Sequence, residues 1–202
     1  MLRFKHLSTI SAFITVTAVA MSAMSTAAAQ SASGEASRWE FLVSSGKLIP
    51  TGAQRATLDA GNHTAAQLAY AFMPSFALTS SLGWARTHDL ATTDAPHLNV
   101  FMFDVGSELR VPRQADSGGM KVNPFAGAGA GMRSYSARSV AGSARRNVAA
   151  YLSAGSEIGT ERYRLRLEAR DYVSGFRAFN GQSATVARND VVVMVGLRIV
   201  KQ

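Results

Sequence analysis

Beyond residue 38, apolar and polar positions alternate with a period of two in eight segments, 39–47, 64–72, 76–86, 98–111, 121–135, 147–159, 163–173 and 190–200. A period of two is the mark of a β-strand, whose successive side chains point to opposite faces. The last segment is the cleanest: Val191, Val193, Val195, Leu197 and Ile199 fall on one face, and Val192, Met194, Gly196 and Arg198 on the other. The segment before it is more informative. Tyr163, Leu165, Leu167, Ala169 and Val173 alternate with Arg164, Arg166, Glu168, Arg170 and Tyr172. Four successive charges on one face cannot be laid against an apolar core. They fit a closed sheet with lipid outside and a polar interior. The connections alternate in length as well. Those after odd segments are long (48–63, 87–97, 136–146, 174–189), and two of the three after even segments are tight (73–75 and 160–162, with 112–120 between them in order). The predicted fold is therefore all-β, an eight-stranded antiparallel up-and-down transmembrane β-barrel. Strands of about 9–11 residues suffice to cross a bilayer when tilted.

Two further segments extend the charged interior. In 98–111, Phe103, Val105, Leu109 and Val111 oppose Asp104, Glu108 and Arg110; in 147–159, Leu152, Ala154 and Ile158 oppose Ser153, Gly155 and Glu157. Both carry Gly-Ser-Glu before a short turn, at 106–108 and 155–157, which predicts equivalent barrel positions. Pairing across the 160–162 turn is expected to set Glu157 opposite Arg164, a charge pair that fixes register. The candidate interior network is Asp104, Glu108, Glu157, Arg164, Arg166, Glu168, Arg170 and Arg198.

The fifth segment looks low in complexity but keeps the alternation. Gly127, Gly129 and Gly131 share one face, and Ala126, Ala128, Ala130 and Met132 the other. A phosphate-binding glycine fingerprint needs a helix to follow, and a loop follows here, so no nucleotide cofactor is expected. Inward glycines are expected to leave room for long Arg and Glu side chains or for local curvature. Aromatics gather at strand ends: Trp39, Tyr70, Phe72, Phe76, Phe125 and Tyr163 at the short-turn end, and Trp84, Phe101, Phe103 and Tyr172 at the other. That is the arrangement of interfacial girdles.

The N-terminus changes the setting. Arg3 and Lys5 precede an apolar core at 10–20 and the small-residue site Ala27-Ala28-Ala29, so residues 1–29 read as a secretory signal, 30–38 as a short N-terminal segment and 39–202 as the barrel domain. There is no cysteine, which excludes disulfides, thiolate metal sites and lipoprotein anchoring. Losing Arg3 and Lys5 takes the net charge from +8 to +6. For an exported chain the expected counter-charge is phosphate-bearing lipid or lipopolysaccharide rather than nucleic acid. Arg55, Arg86, Arg138, Arg145, Arg146, Arg177 and Arg188 lie in or beside the long connections, against the acids Asp59, Asp89 and Asp94. They are candidate anion contacts, a role that suits the forked guanidinium.

The run 123–132, the run 163–172 and the closing strand 189–200 together make the chain resemble the small eight-stranded outer-membrane β-barrels of OmpA/OmpX type, over essentially the whole mature length. Such proteins usually end in an aromatic residue read by the assembly machinery, whereas this chain ends Ile199-Val200-Lys201-Gln202. The resemblance implies an outer-membrane protein, a monomer, in contact with lipid, lipopolysaccharide and that machinery. Its expected role is structural, surface-interacting or adhesive, with a filled interior and no general pore. Two alternatives remain. A lipid-modifying enzyme would need a nucleophile, a base and an orienting carboxylate; the nearest candidates are His88-Asp89 with Ser80 or Ser81, the other mature-chain histidines being His63 and His97. No catalytic, cofactor or metal residues are assigned. A soluble lipocalin-like carrier would instead turn Leu165, Leu167, Val193 and Val195 inward.

Overall fold

The apolar/polar alternation becomes a closed sheet. In the computed structural model, which describes residues 38–56, 58–88, 90, 97–111, 121–137, 145–177 and 185–201, eight strands run in order: β1 (Arg38–Pro50), β2 (Gly61–Met73), β3 (Phe76–His88), β4 (His97–Arg110), β5 (Lys121–Ala137), β6 (Arg145–Gly159), β7 (Tyr163–Arg177) and β8 (Thr185–Val200). Each pairs antiparallel with its sequence neighbour and β8 pairs with β1, so no edge is left open. The signal-like residues 1–29, the segment up to 37 and the turn 112–120 lie outside the described residues.

At the short-turn end each strand limit falls within one residue of expectation. At the long-connection end every strand runs one to five residues further. The added residues are largely polar, among them Asn62 and His63 on β2, Thr87 and His88 on β3, and Ser174 on β7. Beyond the exposed apolar belt the outward residues are no longer apolar, and the period-two signal fades while the backbone ladder continues.

The polar faces turn inward. On β7, Arg166 and Glu168 are 1% exposed, whereas Leu165 and Leu167 are 57% and 58% exposed. Val193, Val195 and Leu197 of β8 likewise face outward. The β6–β7 turn corrects one expectation. Thr160 N donates to Tyr163 O at 2.9 Å, closing a two-residue turn at Glu161 and Arg162. The register that follows sets Gly159 opposite Arg164 and Glu157 opposite Arg166.

The girdle also needs correction. Trp39, Tyr70, Phe72 and Phe76 do form a string of ring contacts outside the short-turn end, with centroids 4.8, 4.6 and 6.3 Å apart. Phe125 and Tyr172, however, are buried inside the barrel. They share strand parity with Arg133 and Arg170, and parity, not proximity to a strand end, decides the face.

Candidate functional site

The barrel interior holds the densest chemistry in the molecule. Toward the short turns, five carboxylates (Glu40, Asp104, Glu108, Glu157, Glu168) meet five guanidinium groups (Arg110, Arg164, Arg166, Arg170, Arg198), all of them buried. Alternation delivers them: Glu108 and Arg110 from β4, the four charges of β7 at every second position, Glu157 from β6 and Arg198 from β8. Arg166 is the hub. Its Nη1 reaches Glu157 Oε1 at 2.6 Å, its Nη2 reaches Glu108 Oε2 at 2.6 Å and its Nε reaches Glu168 Oε2 at 2.8 Å. The Phe125 ring lies 3.5 Å below the same guanidinium. Glu108 and Glu157 belong to the two Gly-Ser-Glu strings, which here grip one arginine from two strands. Arg110 binds Glu40 through both terminal nitrogens, at 2.8 and 2.6 Å, and Glu108 through Nε at 2.6 Å. Arg198 bridges Glu40, Glu108 at 3.3 Å and Glu157 at 2.7 Å. Arg170 binds Glu168 at 2.6 Å and stands 3.8 Å from Asp104, whose other neighbour is the Tyr172 hydroxyl, donating at 2.7 Å. Arg164 sits at the margin, 3.7 Å from Glu157 and 3.9 Å from Glu161.

Charges this deep are tolerable only when paired and hydrogen-bonded, and the bidentate forks supply both. All eight residues named from sequence lie in the interior, and the structure adds Glu40, Arg110, Arg133 and Asp190. The missed residues carried a readable signal: Glu40 shares parity with the buried Leu42 and Ser44, and Arg133 with the inward glycines. Those glycines make room for different neighbours than expected. A Cβ at Gly131 would run into Asp104, and one at Gly129 into the Tyr151 ring, so the space serves an aspartate and a tyrosine rather than Arg and Glu.

Toward the long connections the filling changes. Leu48, Val100, Met102, Tyr135, Val192 and Met194 form an apolar cluster. Leu58, from the β1–β2 connection, joins it. That connection is tied to the strands on either side, with Thr51 N donating to Asn189 O of β8 and Asp59 N to His88 O of β3, both at 3.1 Å. Within the cluster Arg133 binds Asp190 at 2.7 Å and stacks 3.9 Å over Tyr172. Arg188 joins the same aspartate at 3.2 Å and is 3% exposed. Arg188 is therefore not a loop contact: β8 begins at Thr185, and the residue shares its inward parity with Asp190 and Val192. Of the remaining loop candidates, Arg55, Arg86 and Arg146 are exposed. Arg145 and Arg177 are strand residues of β6 and β7, and Arg138 lies outside the described residues.

The hydrolytic candidates are not brought together. Ser81 faces inward against Arg170 at 3.3 Å. His88 lies seven residues along the same strand, ~23 Å away at ~3.3 Å per residue, and Asp89 is outside the described residues. His88 instead stacks on His97, with centroids 4.4 Å apart, and His63 is buried in the barrel. Among the described residues no group of three or more His, Asp or Glu side chains is arranged to hold a metal ion.

This is the fold of the small eight-stranded outer-membrane β-barrels. Neisserial surface protein A shares it at a TM-score of 0.61 and 12% identity, the match covering 82% of this chain and 99% of that one. The N-terminal β-barrel domain of Pseudomonas aeruginosa OprF and the outer membrane protein OprG of the same organism match at TM-scores of 0.48, each 12% identical. They cover 81% and 82% of this chain and 97% and 94% of their own. No family model and no curated protein matches the sequence.

Proposed function

We propose that the mature chain is an integral protein of the bacterial outer membrane, exported by its N-terminal signal, whose barrel anchors a surface-interacting or adhesive long-connection end. It is neither a solute pore nor an enzyme. One observation carries this reading: the same strands that bury an ion network present a broad apolar belt outside, including Phe41, Val105, Leu152, Leu167 and Val195. Soluble monomers rarely expose apolar patches beyond a few hundred Å², and lipid is the solvent that this belt suits. A lipocalin-like carrier needs the opposite arrangement, an apolar lumen with room for a ligand. Here the lumen is occupied by arginine–carboxylate pairs at one end and by Leu48, Val100, Tyr135 and Val192 at the other. Outer-membrane lipid, lipopolysaccharide and the barrel-assembly machinery are the partners that follow, with the protein acting as a monomer. Cell fractionation and gel mobility test the reading. The protein is expected in the outer-membrane fraction and should migrate differently before and after boiling, as heat-resistant barrels do. Recovery in the soluble periplasm with a single mobility would overturn it.

A further inference from the structure

The outer wall is not uniformly convex. Near the long-connection end a groove of about 520 Å³ runs across β1–β6, within the ~300–1,000 Å³ typical of small-molecule sites. Strand register explains it. Two neighbouring rows of outward residues cross the strands here: Thr64, Trp84, Phe101, Ser134 and Arg146, and below them Val43, Ala66, Leu82, Phe103 and Met132. Thr64 and Ala66 on β2 are small, while Val43 on one side and Leu82 and Trp84 on the other are large, which leaves a trough. Trp84 is held at its upper edge by a hydrogen bond from Nε1 to Asn99 Oδ1 at 3.3 Å.

The next row outward is cationic and polar: Lys47, Asn62, Arg86 and Asn99. None of the residues named in the three rows is acidic. Among the described residues no carboxylate pairs with Lys47, Arg86 or Arg146, though Lys47 Nζ donates to Asn62 at 2.7 Å. An apolar trough ending beneath cations that no described carboxylate neutralises is complementary to an acyl chain carrying an anionic headgroup. Arg86 on β3 and Arg146 on β6 stand three strands apart and two residues apart along the strands, ~16 Å at ~4.8 Å per strand and ~3.3 Å per residue. One phosphate cannot bridge that span, but two phosphates on one disaccharide headgroup can.

We infer that this groove seats one acyl chain of a doubly phosphorylated glycolipid of lipid A chemistry, with its two phosphates on Arg86 and Arg146. The site rests on the outer-membrane reading, since it lies on the lipid-facing wall at the end where that reading places the outer leaflet. It narrows that reading to a lipid class and a position on the barrel. Forked guanidinium groups bind phosphate by paired hydrogen bonds, so affinity depends on phosphate number as well as on acyl contact.

The test uses the folded full-length protein in zwitterionic lipid nanodiscs, with bound lipid read by native mass spectrometry. Bisphosphorylated lipid A is expected to bind one per barrel, with monophosphorylated lipid A and phosphatidylglycerol each bound about tenfold more weakly. Arg86→Gln with Arg146→Gln, and separately Ala66→Leu, which fills the trough from an exposed position, should each weaken lipid A by about tenfold or more. Equal binding of phosphatidylglycerol, or unchanged binding by both variants while they keep heat-modifiable mobility, overturns the inference and leaves the outer-membrane reading standing. Failure of the unaltered protein to enter a bilayer overturns both.

Discussion

Toward the short turns the lumen is packed with ion pairs, Glu40–Arg110, Glu108–Arg166 and Glu168–Arg170 among them. Toward the long connections the same barrel is packed with Leu48, Val100, Tyr135 and Val192 around a small Arg133–Asp190 core. Both halves fill the lumen with side chains, but they fail differently. An apolar filling loses transfer and packing energy in proportion to what is removed. A buried ionic filling is of little net benefit over apolar isosteres, yet leaves an uncompensated charge when one partner goes. Geometry accounts for much of the choice. Long arginines from facing strands can cross the lumen to carboxylates that no short side chain would reach, as Arg166 of β7 reaches Glu108 of β4.

The largest break in this contrast is expected at the hub. Arg166→Ala takes an ion pair from each of Glu108, Glu157 and Glu168 and leaves the five buried carboxylates with four guanidinium groups, and urea unfolding in lipid vesicles should show a loss of ~3–5 kcal/mol. On the opposite face of the same strand, Leu167→Arg places a charge in the lipid belt. It should cost ~2–4 kcal/mol by the same assay if the residue lies near the bilayer midplane. In the apolar half, Val192→Ala deletes a fully buried side chain without stranding a charge, and ~1–2 kcal/mol is expected. The smallest effect belongs to the rim: Arg55→Ala, at an exposed guanidinium, should stay within ~0.5 kcal/mol. If Val192→Ala proves costlier than Arg166→Ala, the ionic half is wetter and more forgiving than its burial implies.

Strand number, order and facing were legible because each strand has one exposed apolar face and one face toward the lumen, so alternation persisted over Leu165–Val173 and Val191–Ile199 alike. Strand ends beyond the lipid were not legible, since Asn62, His63 and Ser174 carry no apolar contrast to count. That is why Arg188 read as a loop residue although it is a lumen residue of β8. Pairing across the β6–β7 turn was set by the Thr160–Tyr163 hydrogen bond, a detail of turn geometry that charge complementarity between Glu157 and Arg164 did not reveal. Asp190 sat at the edge of its segment, and its partner Arg133 comes from a strand that looked like glycine and alanine filler. Cross-barrel pairs of this kind depend on closure, which no local pattern encodes.

Because the chain has no cysteine, single cysteines can be placed and spin-labelled without background. Labels at 165, 167, 193 and 195 in the bilayer-reconstituted protein should be strongly accessible to a relaxing agent dissolved in the lipid tails. A label at 79, inward on β3, should be shielded from it. Shielding of the first four with lipid exposure at 79 would mean that the apolar face lines the lumen, and the outer-membrane barrel with a charged interior would be wrong.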